Sequence, residues 1–343
     1  MANPIPIVIC DDSRLARRQM IRALQHWNVE ITEAEHGLQA LEAIRAQQGH
    51  LVFLDLNMPI MDGYEVLERI RRDDLPALVI VVSGDIQPDA QARVQALGAI
   101  GFIKKPVSVE ILNQALSDYG LLGELEKRPD TKPATPILAG TRNKVLPNAT
   151  QQLCEYSQEL ANVSMGRAAN LLAQLLNVFI ELPIPRVKLI SIAELDMALK
   201  ATTGKEPVTT ISQSFIGPGI AGEALLMFND SSIPDIARLL HHEGEITDAI
   251  ERELLMDIAN VLIGAFISST GNQLDLNFSQ GTPQILGLHC APPDLQQEKP
   301  RWKQTLAIEI DYKIEGHAVS CDLLILFTED SLSALSELLE HLE

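Results

Sequence analysis

An eight-residue pattern occurs twice in this chain, as ELANVSMG from Glu159 to Gly166 and as DIANVLIG from Asp257 to Gly264, with an acid, an Asn and a Gly held at fixed spacing. The likeness continues outside them. ISQSFIGPGIAGEALLMFNDSSIPDIARLL (211 to 240) parallels IEIDYKIEGHAVSCDLLILFTEDSLSALSELL (308 to 339), with Phe228 answering Phe327 and Leu239-Leu240 answering Leu338-Leu339. Both copies read as strand, turn, strand, helix. Each follows a long helix, about 150 to 177 or 248 to 270, and a strand near 187 to 192 or 284 to 289. Asn148 and Gln151 suggest a capping box at the first helix. Residues 148 to 343 are therefore predicted as one α+β domain with an internal pseudo-two-fold repeat, its hairpins in a shared sheet and its helices on that sheet.

At 100° per residue, Leu153, Tyr156, Leu160 and Val163 form an apolar stripe on the first long helix, with Glu155, Glu159, Asn162 and Gly166 in a polar stripe beside it. The second helix repeats the polar stripe as Glu253, Asp257, Asn260 and Gly264. A plain solvated face would favour Lys, Arg and Glu, whereas Asn and Gly are poor helix formers. An Asn amide both donates and accepts, so it can hold a water in line with a phosphorus atom. An acid one turn earlier can pair with a partner's lysine.

The first third follows a different rule. Short apolar runs near Ile5 to Cys10, Val29 to Ala34, Leu51 to Leu54, Ala77 to Val82 and Gly101 to Ile103 alternate with helical patterns at about 14 to 26, 38 to 47, 64 to 72, 88 to 97 and 108 to 118. This predicts an α/β doubly wound domain on five parallel strands, covered on both faces. Functional groups in such sheets gather at the carboxyl ends of the strands, here Asp11, Asp12, Asp55, Ser83 and Lys105. Three carboxylates on one sheet edge call for a cation with oxygen ligands, and Mg²⁺ suits a few carboxylates, waters and a phosphoryl group. A lysine and a hydroxyl complete a phosphoryl clamp, and one carboxylate can act as nucleophile.

Residues 1 to 121 and 148 to 343 are thus two domains, joined over 122 to 147 by a Pro-rich linker. The net charge of -19 argues against a nucleic-acid partner or an anionic membrane anchor. Four scattered cysteines and an N-terminus without a basic and apolar leader pattern predict a reduced, cytoplasmic protein. No apolar run approaches the ~20 residues of a membrane span. His289 with Cys290, and His317 with Cys321, lack zinc-ligand spacing. The terminal helix SLSALSELLEHLE reads as a packing helix or a homodimer contact.

CDDS (10 to 13), LDLNMPIMDGYE (54 to 65), VVSG (81 to 84) and IKKP (103 to 106) resemble the signature of CheY-like response-regulator receiver domains. The resemblance implies a flavodoxin-like fold with Asp55 as phosphoacceptor, phosphorylated by a sensor histidine kinase. It implies Asp11, Asp12, Asp55 and the backbone carbonyl of Asn57 around Mg²⁺, with Ser83 and Lys105 engaging the phosphoryl group. Phe102 falls at the aromatic switch position, commonly Tyr. Residues 148 to 343 resemble the CheC, CheX and FliY family of chemotaxis phosphatases, which act on phosphorylated CheY-like receivers. Glu159 and Asn162 match the core of that family's pattern, as does the context NVxxGxA (162 to 168). In the second copy Asn260 matches and Asp257 is one methylene shorter than the usual Glu; Glu155 and Glu253 stand where the family has Asp or Ser. Two sites resemble the CheC arrangement, whose partners include a CheD-like protein. The combination implies a response regulator whose output is aspartyl-phosphate hydrolysis, on a separate receiver or its own, gated by Asp55. The alternative is a non-catalytic module that binds a chemotaxis or flagellar-switch partner.

Overall fold

The computed structural model describes residues 4–121, 137–138, 149–191, 193–195, 197, 207–290 and 303–340. Asn148 and all of the predicted linker except residues 137–138 lie outside them. The chain divides into two compact units, Met1–Leu146 and Pro147–Leu342.

In the first unit, β1 (Ile5–Cys10), α1 (Arg14–Leu24), β2 (Val29–Ala34), α2 (Gly37–Arg45), β3 (Leu51–Leu54), α3 (Gly63–Arg72), β4 (Leu78–Ser83), α4 (Pro88–Ala96), β5 (Gly101–Lys104) and α5 (Val109–Asp118) alternate as expected. All strand pairs are parallel. Strand alternation sorts the apolar residues into two cores. Val8, Cys10, Val52 and Leu54 meet Leu41, Val66 and Leu67 of α2 and α3 on one face. Ile7, Ile9 and Phe53 meet Met20, Leu24, Leu112 and Leu116 of α1 and α5 on the other. To the five expected strands the structure adds β6 (Ile137–Leu138), which gives the order β5-β4-β3-β1-β2-β6. It pairs in parallel with Thr32 and Glu33. Two residues between Pro136 and Ala139 carry no periodicity, so nothing in the sequence marked this strand.

The second unit begins with α6 (Ala149–Leu176), β7 (Ile180–Glu181) and β8 (Arg186–Ser191), followed by the hairpin of β9 (Val208–Gly217) and β10 (Ile220–Asn229) and by α7 (Ile233–Leu239). The second repeat is α8 (Asp248–Leu274), β11 (Ser279–Gln280), β12 (Gln284–Cys290), the hairpin of β13 (Gln304–Ile314) and β14 (Ser320–Phe327), and α9 (Ser331–Glu340). At the centre of the shared sheet β10 runs antiparallel to β14, and Leu225 lies opposite Leu324. These two residues are counterparts in the repeat, so the pseudo-dyad passes between them. The lone strands change sides: β8 of the first repeat pairs with β13 of the second, and β12 of the second pairs with β9 of the first. Each repeat leaves a hairpin edge that only the other repeat covers, so the two form one sheet.

The long helices pack against each other, with Ser164 Oγ 3.0 Å from Thr270 Oγ1. Gln273 Nε2 donates to the Leu160 carbonyl at 3.2 Å and to Ser164 Oγ at 3.0 Å. Residue numbers rise along α6 as they fall along α8, so the pair is antiparallel. By length and composition α8 could cross a bilayer, but 56% of its most apolar window is buried, as in a core helix.

Candidate functional site

Four of the first unit's strands run in one direction and deliver their carboxyl ends to one edge, where Asp11, Asp55, Ser83 and Lys105 are all buried. Lys105 Nζ lies 2.8 Å from Asp11 Oδ2 and 3.4 Å from Asp55 Oδ1. Asp11, Asp12 and Asp55 each bring a carboxylate oxygen within 4.8 Å of the others. Three carboxylates against one ammonium leave a buried excess of negative charge on hard oxygen donors. That donor set fits Mg²⁺, and the mutual distances suit one small ion. The loop is held locally: Asp11 Oδ1 accepts the Ser13 N–H at 2.9 Å, and Ser13 Oγ caps α1 by accepting the Ala16 N–H at 3.2 Å. Burial, then Asp11 and Asp55, push the neighbouring Cys10 thiol well up. Asn57 is half-buried in the loop after β3.

Several residues that shape this pocket escaped the sequence reading. Gly63 opens α3 directly under Asp55; a Cβ there would lie 2.3 Å from the Asp55 carbonyl oxygen and 2.9 Å from Leu56 Cα. Asp62, before it, caps the helix by accepting the Glu65 N–H at 2.8 Å. Ser83 Oγ accepts the N–H of Asp85 at 3.1 Å, and Asp85 is itself buried. Burial pushes the Asp85 carboxyl up to about 6, against the opposing pull of the Gln87 N–H and side-chain amide, both 3.1 Å from Oδ1. Phe102 is half-buried, and its N–H donates to the Tyr119 hydroxyl at 3.1 Å. A phenolic hydroxyl thus reaches β5 from the end of α5.

In the second unit the two copies of the polar stripe separate. On α8, Glu253, Asp257 and Asn260 are exposed and Gly264 is half-buried. On α6, residues 159 to 166 are all buried, Glu159 at 7% and Asn162 at 5% exposure, and Glu155, one turn earlier, is half-buried. The two stripes therefore differ in exposure: Glu159, Asn162 and Gly166 of the first are buried, whereas Glu253, Asp257 and Asn260 of the second are exposed. Asn162 Oδ1 is buried with no hydrogen-bond partner among the described residues. Beyond Gly264, Gln280 Nε2 donates to its carbonyl at 3.5 Å.

At the start of α8, His289 Nδ1 lies 2.8 Å from Asp230 Oδ2 and Nε2 lies 3.4 Å from Glu251 Oε2. The Asp230 bond raises the His289 pKa, and burial raises that of Glu251. Cys290 instead donates its thiol to the Leu288 carbonyl. Among the described residues, Asp11, Asp12 and Asp55 are the group of three with metal-ligand spacing.

Residues 7–117 match the response regulator receiver domain family. The probable transcriptional regulatory protein NarL of Mycobacterium tuberculosis is 32% identical over 165 residues, 43% of this chain and 76% of that protein. Protein-glutamate methylesterase/protein-glutamine glutaminase 3 of Rhodospirillum rubrum is 36% identical over 122 residues, 35% of this chain, which spans a third of that protein's length. Among solved structures, Thermotoga maritima FliY matches 57% of this chain and 98% of its own at 19% identity, with a TM-score of 0.45.

Proposed function

This chain belongs to the response-regulator family through its receiver domain, and we propose that phosphorylation of Asp55 governs an output half that hydrolyses aspartyl phosphate on a separate CheY-like receiver. In this reading a sensor histidine kinase in the cytoplasm supplies the phosphoryl group. Asp55 receives it, Lys105 follows the new negative charge from its place between Asp11 and Asp55, and Ser83 offers a hydroxyl. Mg²⁺, held by Asp11, Asp12, Asp55 and the carbonyl of Asn57, supplies charge neutralisation when bound.

The observation that carries the output reading is the open face of α8. Asn260 presents a carboxamide able to orient a water towards phosphorus, and Asp257, one turn earlier, offers a carboxylate to a receiver lysine. Gly264 extends that face. A Cβ there would meet nothing closer than Gln280 Oε1 at 3.7 Å, so the fold itself does not require glycine. A mid-helix glycine costs about 1 kcal/mol against Ala, which suits a surface kept clear for a closely approaching partner. The buried α6 pair bears the gate. Leaving Asn162 Oδ1 buried and unpaired costs about 1–3 kcal/mol, a cost relieved if phosphorylation opens that site.

Phosphate release from a phosphorylated receiver, with Asp55 free or phosphorylated, tests the assignment. Asn260→Ala should cut turnover in both states, and Asn162→Ala only in the phosphorylated one. Unchanged turnover in both variants would overturn this assignment, and phosphate release no faster with the unaltered chain than without it, with receiver binding retained, would favour the binding module. Decay of phospho-Asp55 at equal rates in the full chain and after Asn162→Ala/Asn260→Ala is expected for a separate substrate.

A further inference from the structure

Arg17, in α1, is 4% exposed. A buried guanidinium is costly unless its donors are satisfied, and this one is spread over four acceptors. Nη1 donates to the carbonyl oxygens of Asp11 at 2.8 Å and Asp12 at 3.3 Å, Nε to Glu33 Oε2 at 3.0 Å, and Nη2 to Glu35 Oε1 at 3.1 Å. It touches the backbone of the acid pair and leaves their carboxylates to the pocket, so it fixes the course of the loop that aims them. Its main anchor, Glu33, belongs to β2. On the outer edge of β2, Thr32 and Glu33 pair with Ile137 and Leu138, the two residues of the interdomain segment that form β6. Glu33 therefore joins two things: its side chain holds the arginine that shapes the acid pocket, and its backbone receives the strand from the segment leading to the second unit.

We propose that Arg17 is a positioning residue for the cation-binding acid pocket, and that docking of residues 137–138 on β2 preorganises the pocket through Glu33 and Arg17. The inference rests on the reading of Asp11, Asp12 and Asp55 as a Mg²⁺ site. A docked strand immobilises Glu33, Glu33 fixes Arg17, and Arg17 fixes the carbonyls of residues 11 and 12. Less ordering is then left for the ion to accomplish. Coupling between binding events is reciprocal, so filling the pocket must tighten the strand on its edge by the same factor.

The test is calorimetric Mg²⁺ titration of the full chain and its variants. Leu138→Pro removes a backbone donor and disfavours docking; it should weaken Mg²⁺ binding at least about fivefold. Arg17→Gln should weaken it similarly, and adding Leu138→Pro to Arg17→Gln should change nothing further. Glu33→Gln, which keeps an acceptor for Nε, should retain most of the affinity that Glu33→Ala loses. If Arg17→Gln does not fold, Glu33→Ala replaces it in the cycle. Amide exchange at residues 137–138 should slow when Mg²⁺ is added, a response that a purely structural arginine would not produce. Wild-type affinity in Leu138→Pro, an equal loss in the Arg17→Gln background, or exchange indifferent to Mg²⁺ would each overturn the proposal. Absence of Mg²⁺ binding in the unaltered chain would instead remove the acid-pocket reading, and the coupling with it.

Discussion

Replacing Asp85 by Asn should make the receiver more stable at alkaline pH and leave it unchanged in acid. Asp85 is 3% exposed and its carboxyl is pushed from 3.8 to about 6, chiefly by burial. The folded state therefore holds this proton more tightly than the unfolded state. The stabilisation is fully present below pH 3.8 and is lost as pH rises through about 6. At ~1.36 kcal/mol per pH unit, a shift of about two units amounts to ~3 kcal/mol between pH 4 and pH 8. Asparagine is neutral throughout, and its carbonyl oxygen can still accept from the Gln87 N–H and side-chain amide, which now bind Asp85 Oδ1. Urea melts in a Trp302→Phe background, followed through the core residue Trp27, report the receiver alone. The advantage of Asp85→Asn should grow by up to ~3 kcal/mol from pH 4 to pH 8. A difference between the two proteins that does not change with pH would refute the burial argument.

Gly63→Ala should cost about 1–3 kcal/mol or more in the same melts, because the new Cβ meets the backbone of Asp55 and Leu56, neither of which can rotate away. Gly264→Ala has room for its methyl and should raise the second unit's stability by ~1 kcal/mol in thermal melts, while reducing receiver turnover if that face docks a partner. His289→Gln should flatten the stability profile near neutrality. The His289 pKa is raised above 6.5, so its contribution is whole below that pH and fades as pH rises through the folded value. With the ring 42% exposed the effect should stay below ~1 kcal/mol, read from melts at pH 6 and 8.

Local chemistry wrote much of this protein into its sequence. Apolar runs bounded by turn residues set the receiver strands, and parallel order then sends Asp11, Asp55, Ser83 and Lys105 to one edge whatever the details of packing. The repeat likewise implied a dyad, found between Leu225 and Leu324. Other features depend on contacts between residues far apart in the chain, which carry no local signature. Arg17 looks like any helical arginine until β2 brings Glu33 beneath it, and residues 137–138 become a strand only because β2 has a free edge. The exchange of β8 and β12 between repeats is decided by which hairpin edge stands open. Most consequentially, ELANVSMG and DIANVLIG share the same acid, Asn and Gly spacing, yet every residue of the first is buried whereas Asp257 and Asn260 of the second are exposed. Helical periodicity determines which residues share a face, whereas only the surrounding fold determines whether that face is covered.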